Sequence, residues 1–267
     1  MNLICPICGE QLNKLDRRFS CTNRHSFDLA RQGYLHLLPV QQKHSLHPGD
    51  TRQQVLSRRE FLEGGFYSPI CQALMDTARE LGAAGPILDV GCGEGYYCAR
   101  LADSMNAELV GLDISKEAVR CAAGKYKGKT WLCATAAHIP VASESVGLLT
   151  SLFALTLPEE FARVLRPGGY FFQVLAEQDH LLGLKRVIYD ELTFKQKDTV
   201  PEVPGFALVK SIPIRFSFTV EGNQIQNLFS MTPHLFRVGK SGIQRLQALE
   251  VLTDTASCVL NVYRLRN

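Results

Sequence analysis

The sequence lacks any apolar run near the ~18 residues that a membrane-spanning helix requires, so no membrane partner is expected. It lacks a signal-like start too. Met1-Asn2-Leu3-Ile4 is followed at once by Cys5-Pro6-Ile7-Cys8, and the expected compartment is the cytoplasm. It lacks a strong net charge, which is only +3. It also lacks an even cysteine count: there are nine, which argues against a disulfide framework.

What is present is uneven. Residues 1–59 carry nine Lys or Arg against four acids, a local charge of +5, which leaves −2 for the remainder. A basic arm on a slightly acidic body suggests an anionic partner at that end. A merely solvated surface is the plainer alternative. With 267 residues, 46% of them hydrophobic, the chain can hold one large α/β domain and a small appendage.

Three cysteines cluster, and His25 completes a C-x2-C-x12-C-x3-H pattern of Cys5, Cys8, Cys21 and His25. Two close pairs make a tetrahedron, and a closed set of three thiolates and one imidazole suits structural Zn2+. So short a segment has little core of its own, and the metal would supply much of its folding energy. A DNA-reading finger needs a second histidine, which is missing here. The other six cysteines read as small buried hydrophobes. After the module, Gln41 to Asp50 is polar and turn-rich, with Lys43, His44, His47 and Arg52 available to contact phosphate.

From Pro86 onward short apolar strands alternate with helices. Strands are expected at Ile87–Val90, Leu109–Asp113, Thr130–Ala134, Val146–Leu152 and Tyr170–Leu175. Helices are expected from Tyr96 to about Asp103, from Ser115 to about Tyr126, and over Pro158–Gly169, the last closed by Pro-Gly-Gly. Two further helices precede the first strand, at Val55–Gly64 and up to about Leu81. Beyond residue 180 the pattern weakens: one or two strands over Phe206–Val220, helices at Gln224–Phe229 and Pro233–Leu249, and a last strand at Ala256–Arg264. The alternation implies a doubly wound, Rossmann-like parallel sheet with its ligand beyond the strand C-termini. The expected divisions are a zinc-binding module at 1–36, a linker and helical segment at 37–84, and a catalytic domain at 85–267.

Gly91, Gly93 and Gly95 follow the first strand, with Asp89 two residues before them and Glu94 between the last two. Glycines there let the backbone turn sharply and approach a ligand. Asp113 ends the next strand, where a carboxylate can accept two ribose hydroxyls. The spacing departs from the dinucleotide G-x-G-x-x-G cradle, and S-adenosylmethionine, with no pyrophosphate, needs none. A dinucleotide enzyme and a glycine turn without ligand are the competing readings. Trp131 and Ile139 could flank an adenine, though core packing suits both. His138 and His180 each follow a strand on the ligand edge and are candidate catalytic bases.

Together these residues resemble the bacterial 23S rRNA (guanine-N1)-methyltransferases of the RlmA family, nearly end to end. The strings that carry the resemblance are Cys5-Pro-Ile-Cys8, Cys21 to His25-Ser-Phe-Asp28, Gly33-Tyr-Leu-His-Leu-Leu-Pro39, His47-Pro-Gly-Asp50 and Arg58-Arg-Glu-Phe-Leu62. Leu88 to Tyr97, Leu112-Asp-Ile-Ser-Lys116, Arg163 to Gly169, His180-Leu181 and Met231-Thr-Pro233 continue it. The resemblance implies a class I methyltransferase fold and zinc on Cys5, Cys8, Cys21 and His25. It also implies cofactor contacts from Tyr67, Gly93, Glu94 and His180. It further implies a homodimer acting on a guanine in a 23S rRNA hairpin or large-subunit precursor, related sites affecting macrolide sensitivity. In one place the chain departs from the family: Leu155 stands where an aromatic-Ala/Ser-Pro segment would put proline, at Phe153-Ala154-Leu155. That leaves open a small-molecule methyltransferase, or an RNA-binding homologue with impaired catalysis.

Overall fold

The computed structural model describes residues 1–42, 48–192 and 197–266. Lys43, His44 and His47 lie outside them. Three short strands, β1 (Asn13–Leu15), β2 (Arg18–Ser20) and β3 (Ser26–Asp28), form an antiparallel ribbon. β4 (Tyr34–His36) then leaves the ribbon and pairs in parallel with Trp131–Cys133 at the edge of the main sheet. The expected 1–36 module thus contains one strand of the body's sheet.

Helices α1 (Arg52–Glu63) and α2 (Ser68–Glu80) follow. Thr51 starts α1 with a capping box: its hydroxyl accepts the Gln54 amide, and the Gln54 side chain accepts the Thr51 amide in return. Both helices bury apolar faces in the body's core, through Phe61, Leu62, Ile70 and Leu74.

The body then alternates: β5 (Ile87–Val90), α3 (Tyr96–Met105), β6 (Leu109–Asp113), α4 (Lys116–Lys125), β7 (Thr130–Cys133), β8 (Val146–Leu152), α5 (Pro158–Val164) and β9 (Leu165–Ala176). α6 (Leu182–Ile188), β10 (Phe206–Glu221), α7 (Asn223–Ser230), α8 (Lys240–Gln247) and β11 (Val251–Leu265) complete it. Among the described residues the main sheet has eight strands in the order β10-β11-β9-β8-β5-β6-β7-β4. β11 runs antiparallel to both neighbours. The order reverses at β5, which pairs with β6 on one side and β8 on the other. That switch point is where an open α/β sheet leaves a crevice for ligand.

Two expectations change in detail. The helix from Pro158 ends at Val164, because Leu165 already pairs with Val146, and Pro-Gly-Gly lies inside β9 rather than closing a helix. The segment Pro233–Leu249 is a short 3-10 turn (Pro233–Phe236) followed by α8, broken around Gly239. Of the one or two strands expected over Phe206–Val220 the fold has one, β10, with a register shift between Leu208 and Lys210.

The ribbon shares the body's core. Leu3, Cys5, Leu12 and Cys21 pack in one cluster with Ile139, Val141 and Val146. The Ile4 amide donates to the Pro140 carbonyl at 3.1 Å, and Leu3 bridges Val141. The module therefore draws folding energy from the body as well as from a metal.

Candidate functional site

Four of the sequence-expected site elements lie at the C-terminal edge of the parallel strands. The glycine turn leaves β5, Asp113 ends β6, Phe153 follows β8 and His180 follows β9. The amides of Gly91 and Cys92 both donate to the Leu112 carbonyl, at 2.8 and 3.0 Å, so the turn is tied to β6. Gly91, Gly93 and Gly95 all have positive φ, at +79°, +56° and +87°, which L side chains rarely adopt. A Cβ on Gly91 would lie 2.7 Å from that of Ala154, and one on Gly95 would lie 2.6 Å from the Trp131 ring. Gly93 is open by comparison, with Arg58 Cδ nearest at 3.9 Å.

Asp113 faces this turn. Its Oδ2 accepts the Gly93 amide and its Oδ1 the Ser115 amide, both at 2.8 Å. Each oxygen keeps a second lone pair for a hydroxyl donor. Burial raises its pKa, against the pull of those amides and of Arg58. Glu94 is also buried. Its Oε1 accepts the Tyr96 amide at 3.1 Å, whereas its Oε2 has no partner among the described residues. Burial raises the Glu94 pKa as well. Asp89 sits behind the turn, 2% exposed, where Thr150 donates to its Oδ1 at 2.5 Å. Burial pushes its pKa up to about 6. The open glycine backbone, the free lone pairs of Asp113 and the orphaned Glu94 oxygen fit a nucleoside-bearing ligand such as S-adenosylmethionine.

The second group gathers beside the turn. The Tyr67 hydroxyl lies 3.4 Å from His180 Nε2. The Tyr67 ring is fixed edge-on by Phe61 at 5.0 Å and Phe218 at 5.7 Å. On its other side, His180 Nδ1 is 3.2 Å from the Ser257 amide. Burial pulls the His180 pKa down to about 4, with Lys185 adding to the shift. Phe153, 40% exposed, places its ring 6.0 Å from His180. Leu155 beyond it is 72% exposed. Just after His180, Asp254 fixes the start of α6 by accepting the Gly183 and Leu184 amides, at 2.9 and 2.7 Å.

The other candidates fall elsewhere. His138 is exposed and lines a cavity of about 320 Å³ between the ribbon and the body, with Pro6, Ile7, Gln42, Pro140 and Glu160. Trp131 and Ile139 are each 1% exposed and pack in the core, Trp131 over Gly95 and Gly111. Sequence reading gave no role to one group that the fold brings here. Arg58 donates to Asp50 Oδ2 at 2.7 Å, and Ser115 Oγ donates to the Asp50 carbonyl at 2.7 Å. The only signal was that both residues sit in strings carrying the family resemblance.

The ribbon brings its four ligands together. One ligand atom each from Cys5, Cys8, Cys21 and His25 lies within 4.8 Å of the others. Cys8 Sγ and Cys21 Sγ are 3.7 Å apart, and His25 Nδ1 is 3.5 Å from both Cys5 Sγ and Cys21 Sγ. A tetrahedron with Zn–S bonds of ~2.3 Å has edges of about 3.8 Å, so the arrangement fits the metal. The Glu10 amide helps hold the Cys8 thiol down to about 6, toward the thiolate that zinc binds.

Sheet order, glycine turn and Asp113 define a class I S-adenosylmethionine-dependent methyltransferase carrying a structural zinc ribbon. Residues 88–173 match the family described as a methyltransferase domain, and residues 3–46 match "RlmA, N-terminal", a zinc ribbon. The chain belongs to the 23S rRNA (guanine-N1)-methyltransferase family. A Streptomyces fradiae relative, 23S rRNA (guanine(748)-N(1))-methyltransferase, is 37% identical over 69% of each chain. A Micromonospora griseorubida protein, provisionally named a 23S rRNA (guanine-N1)-methyltransferase, is 35% identical over 70% of this chain and 71% of its own. A Bacillus subtilis protein with the same provisional name is 26% identical over 92% of this chain and 91% of its own.

Proposed function

We propose that this chain transfers the methyl group of S-adenosylmethionine to N1 of a guanine in a 23S rRNA hairpin loop. The observation that carries the proposal is the zinc ribbon built into the methyltransferase's own core and sheet, through Cys5, Cys21 and β4. A substrate-choosing module is then held in fixed relation to the crevice. Its exposed Lys14, Arg17, Arg18, Arg24 and Arg31 are suited to a phosphate backbone. Cys5, Cys8, Cys21 and His25 hold the zinc. The proposed division of labour is a ribbon within 1–36, whose last strand joins the body's sheet, connecting helices in 37–84 and a catalytic body at 85–267.

The cofactor, when bound, supplies an electrophilic methyl group on a sulfonium, and the chain's task is alignment. Asp113 receives the ribose hydroxyls, and Gly91, Gly93 and Gly95 let the backbone come close. Glu94 turns its orphaned oxygen to the ligand. Tyr67 and His180 wall the site, and Asp89 supports the turn from beneath through Thr150. Phe153 and Leu155 stand where the guanine must enter. A paired N1 is inaccessible, so the base must be splayed out. With a pKa near 4, His180 is neutral at pH 7 and a weak proton acceptor. Its role is to hold a hydrogen bond rather than to store the N1 proton. His138, beside the zinc knuckle, contacts RNA rather than the reacting atoms.

The family resemblance also supports a homodimer working in the cytoplasm, the former read by light scattering. The functional test is incubation with labelled S-adenosylmethionine and an unmodified 23S rRNA hairpin transcript, with the stop of reverse transcription mapped. The relative named for guanine 748 makes that position the first to examine. Label on a small acceptor and none on RNA contradicts the proposal.

A further inference from the structure

Arg58 sits at a junction that the assignments above do not use. It projects from α1 over the glycine turn, its Cδ 3.9 Å from where a Cβ on Gly93 would stand. Its Nη2 donates to Asp50 Oδ2 at 2.7 Å and to the Met231 carbonyl at 3.4 Å. Asp50 is anchored in turn by the Ser115 hydroxyl on its carbonyl, next to Asp113. The charge of Arg58 favours the ionised forms of both Asp113 and Tyr67. Burial is the larger influence on both groups.

Among the described residues Arg58 makes its hydrogen bonds through Nη2 alone, to Asp50 and Met231, and Nε and Nη1 have no protein acceptor. A guanidinium has five N–H donors; with both Nη2 hydrogens engaged neither two-pronged edge is open, but Nε and Nη1 can each give a carboxylate a single charge-assisted hydrogen bond. With the ribose on Asp113 and the methyl directed toward Phe153, the amino-acid tail of the cofactor must cross the glycine turn. Arg58 is the cation over that turn.

We propose that Arg58 is a cofactor-binding residue that receives the carboxylate of the methionine tail, with Asp50 as the positioning residue that aims it. This rests on the crevice being the S-adenosylmethionine site. Asp50 holds Nη2 and fixes the plane of the guanidinium, leaving an N–H of Nη1 or of Nε to give the ligand one hydrogen bond.

The test is calorimetric binding to the full-length, zinc-loaded protein, with two probes. One is S-adenosylhomocysteine; the other is its decarboxylated form, which keeps the ammonium and lacks the carboxylate. In Arg58→Gln, S-adenosylhomocysteine is expected to bind on the order of tenfold to a hundredfold more weakly, the range for a charged hydrogen bond. The decarboxylated probe is expected to change less than about twofold, since it never used that bond. Arg58→Lys should recover part of the loss. Equal weakening of both probes, or no weakening of either, overturns the proposal. If Arg58→Gln does not fold by circular dichroism, the wild type decides: a decarboxylated probe that binds it as tightly as S-adenosylhomocysteine overturns the assignment. Absence of any S-adenosylhomocysteine binding to the wild type contradicts the cofactor site itself, which is a separate failure.

Discussion

The Gly93 amide donates to Asp113 Oδ2 at 2.8 Å, which joins the tip of the glycine turn to the end of the neighbouring strand. The same carboxylate shapes the turn and keeps lone pairs for the proposed ligand. Asp113→Asn keeps the size and one acceptor oxygen but replaces the other with a donor. S-Adenosylhomocysteine should bind it at least tenfold more weakly by calorimetry, a loss of about 1.4 kcal/mol. Unchanged affinity would remove Asp113 from the site.

Acid should weaken the fold through buried histidines. Burial lowers the pKa of His180 and of His234 from 6.5 to about 4. The unfolded chain then takes up protons below pH 6.5 that the folded chain refuses until about pH 4. Stability from these groups is full above about pH 6.5 and falls as the pH drops toward 4. His180→Asn should flatten the slope of melting temperature against pH in that window, by an amount on the order of 2 kcal/mol across it. A slope identical to wild type contradicts the buried, neutral ring.

The ribbon should fail as a unit. Cys8→Ser removes one of four ligands whose atoms lie within 4.8 Å of one another. Zinc content by elemental analysis should fall from near one per chain to well below half, and binding to the rRNA hairpin should fall with it. Because Cys5 and Cys21 pack against Ile139 and Val141, the melting temperature should drop too. Full zinc stoichiometry in the variant refutes the ligand assignment.

Phe153 holds a left-handed backbone, φ +55°, in the loop proposed to admit the base. That costs a non-glycine residue about 1 kcal/mol. Phe153→Gly releases the strain but gives up the buried part of a ring that is 40% exposed, worth about 1–2 kcal/mol. Melting temperature should fall by no more than a few degrees while RNA methylation falls about tenfold, the lower end of base–aromatic stacking energies. Methylation at the wild-type rate would show that the ring does not touch the base.

The central strands were legible because Ile87–Val90, Leu109–Asp113 and Val146–Leu152 are apolar runs bounded by turns, as sheets buried on both faces require. The four ribbon ligands were legible from spacing alone, because knuckle geometry is local. Tyr34–His36 was not, since its partner Trp131–Cys133 is nearly a hundred residues away. The extent of β9 was hidden as well: Pro-Gly-Gly reads as a helix stop, but pairing with β8 draws it into the sheet. Arg58 over Gly93 and Asp50 beside Ser115 depend on how α1 packs, which no local pattern encodes.

The most direct test of the account is nucleoside mass spectrometry of 23S rRNA that lacks the modification, after incubation with the purified protein and S-adenosylmethionine. The account predicts one new 1-methylguanosine per molecule, mapped to a single hairpin loop and lost in Asp113→Asn. RNA without a new methylated nucleoside, or a methyl group on any atom other than guanine N1, would contradict it.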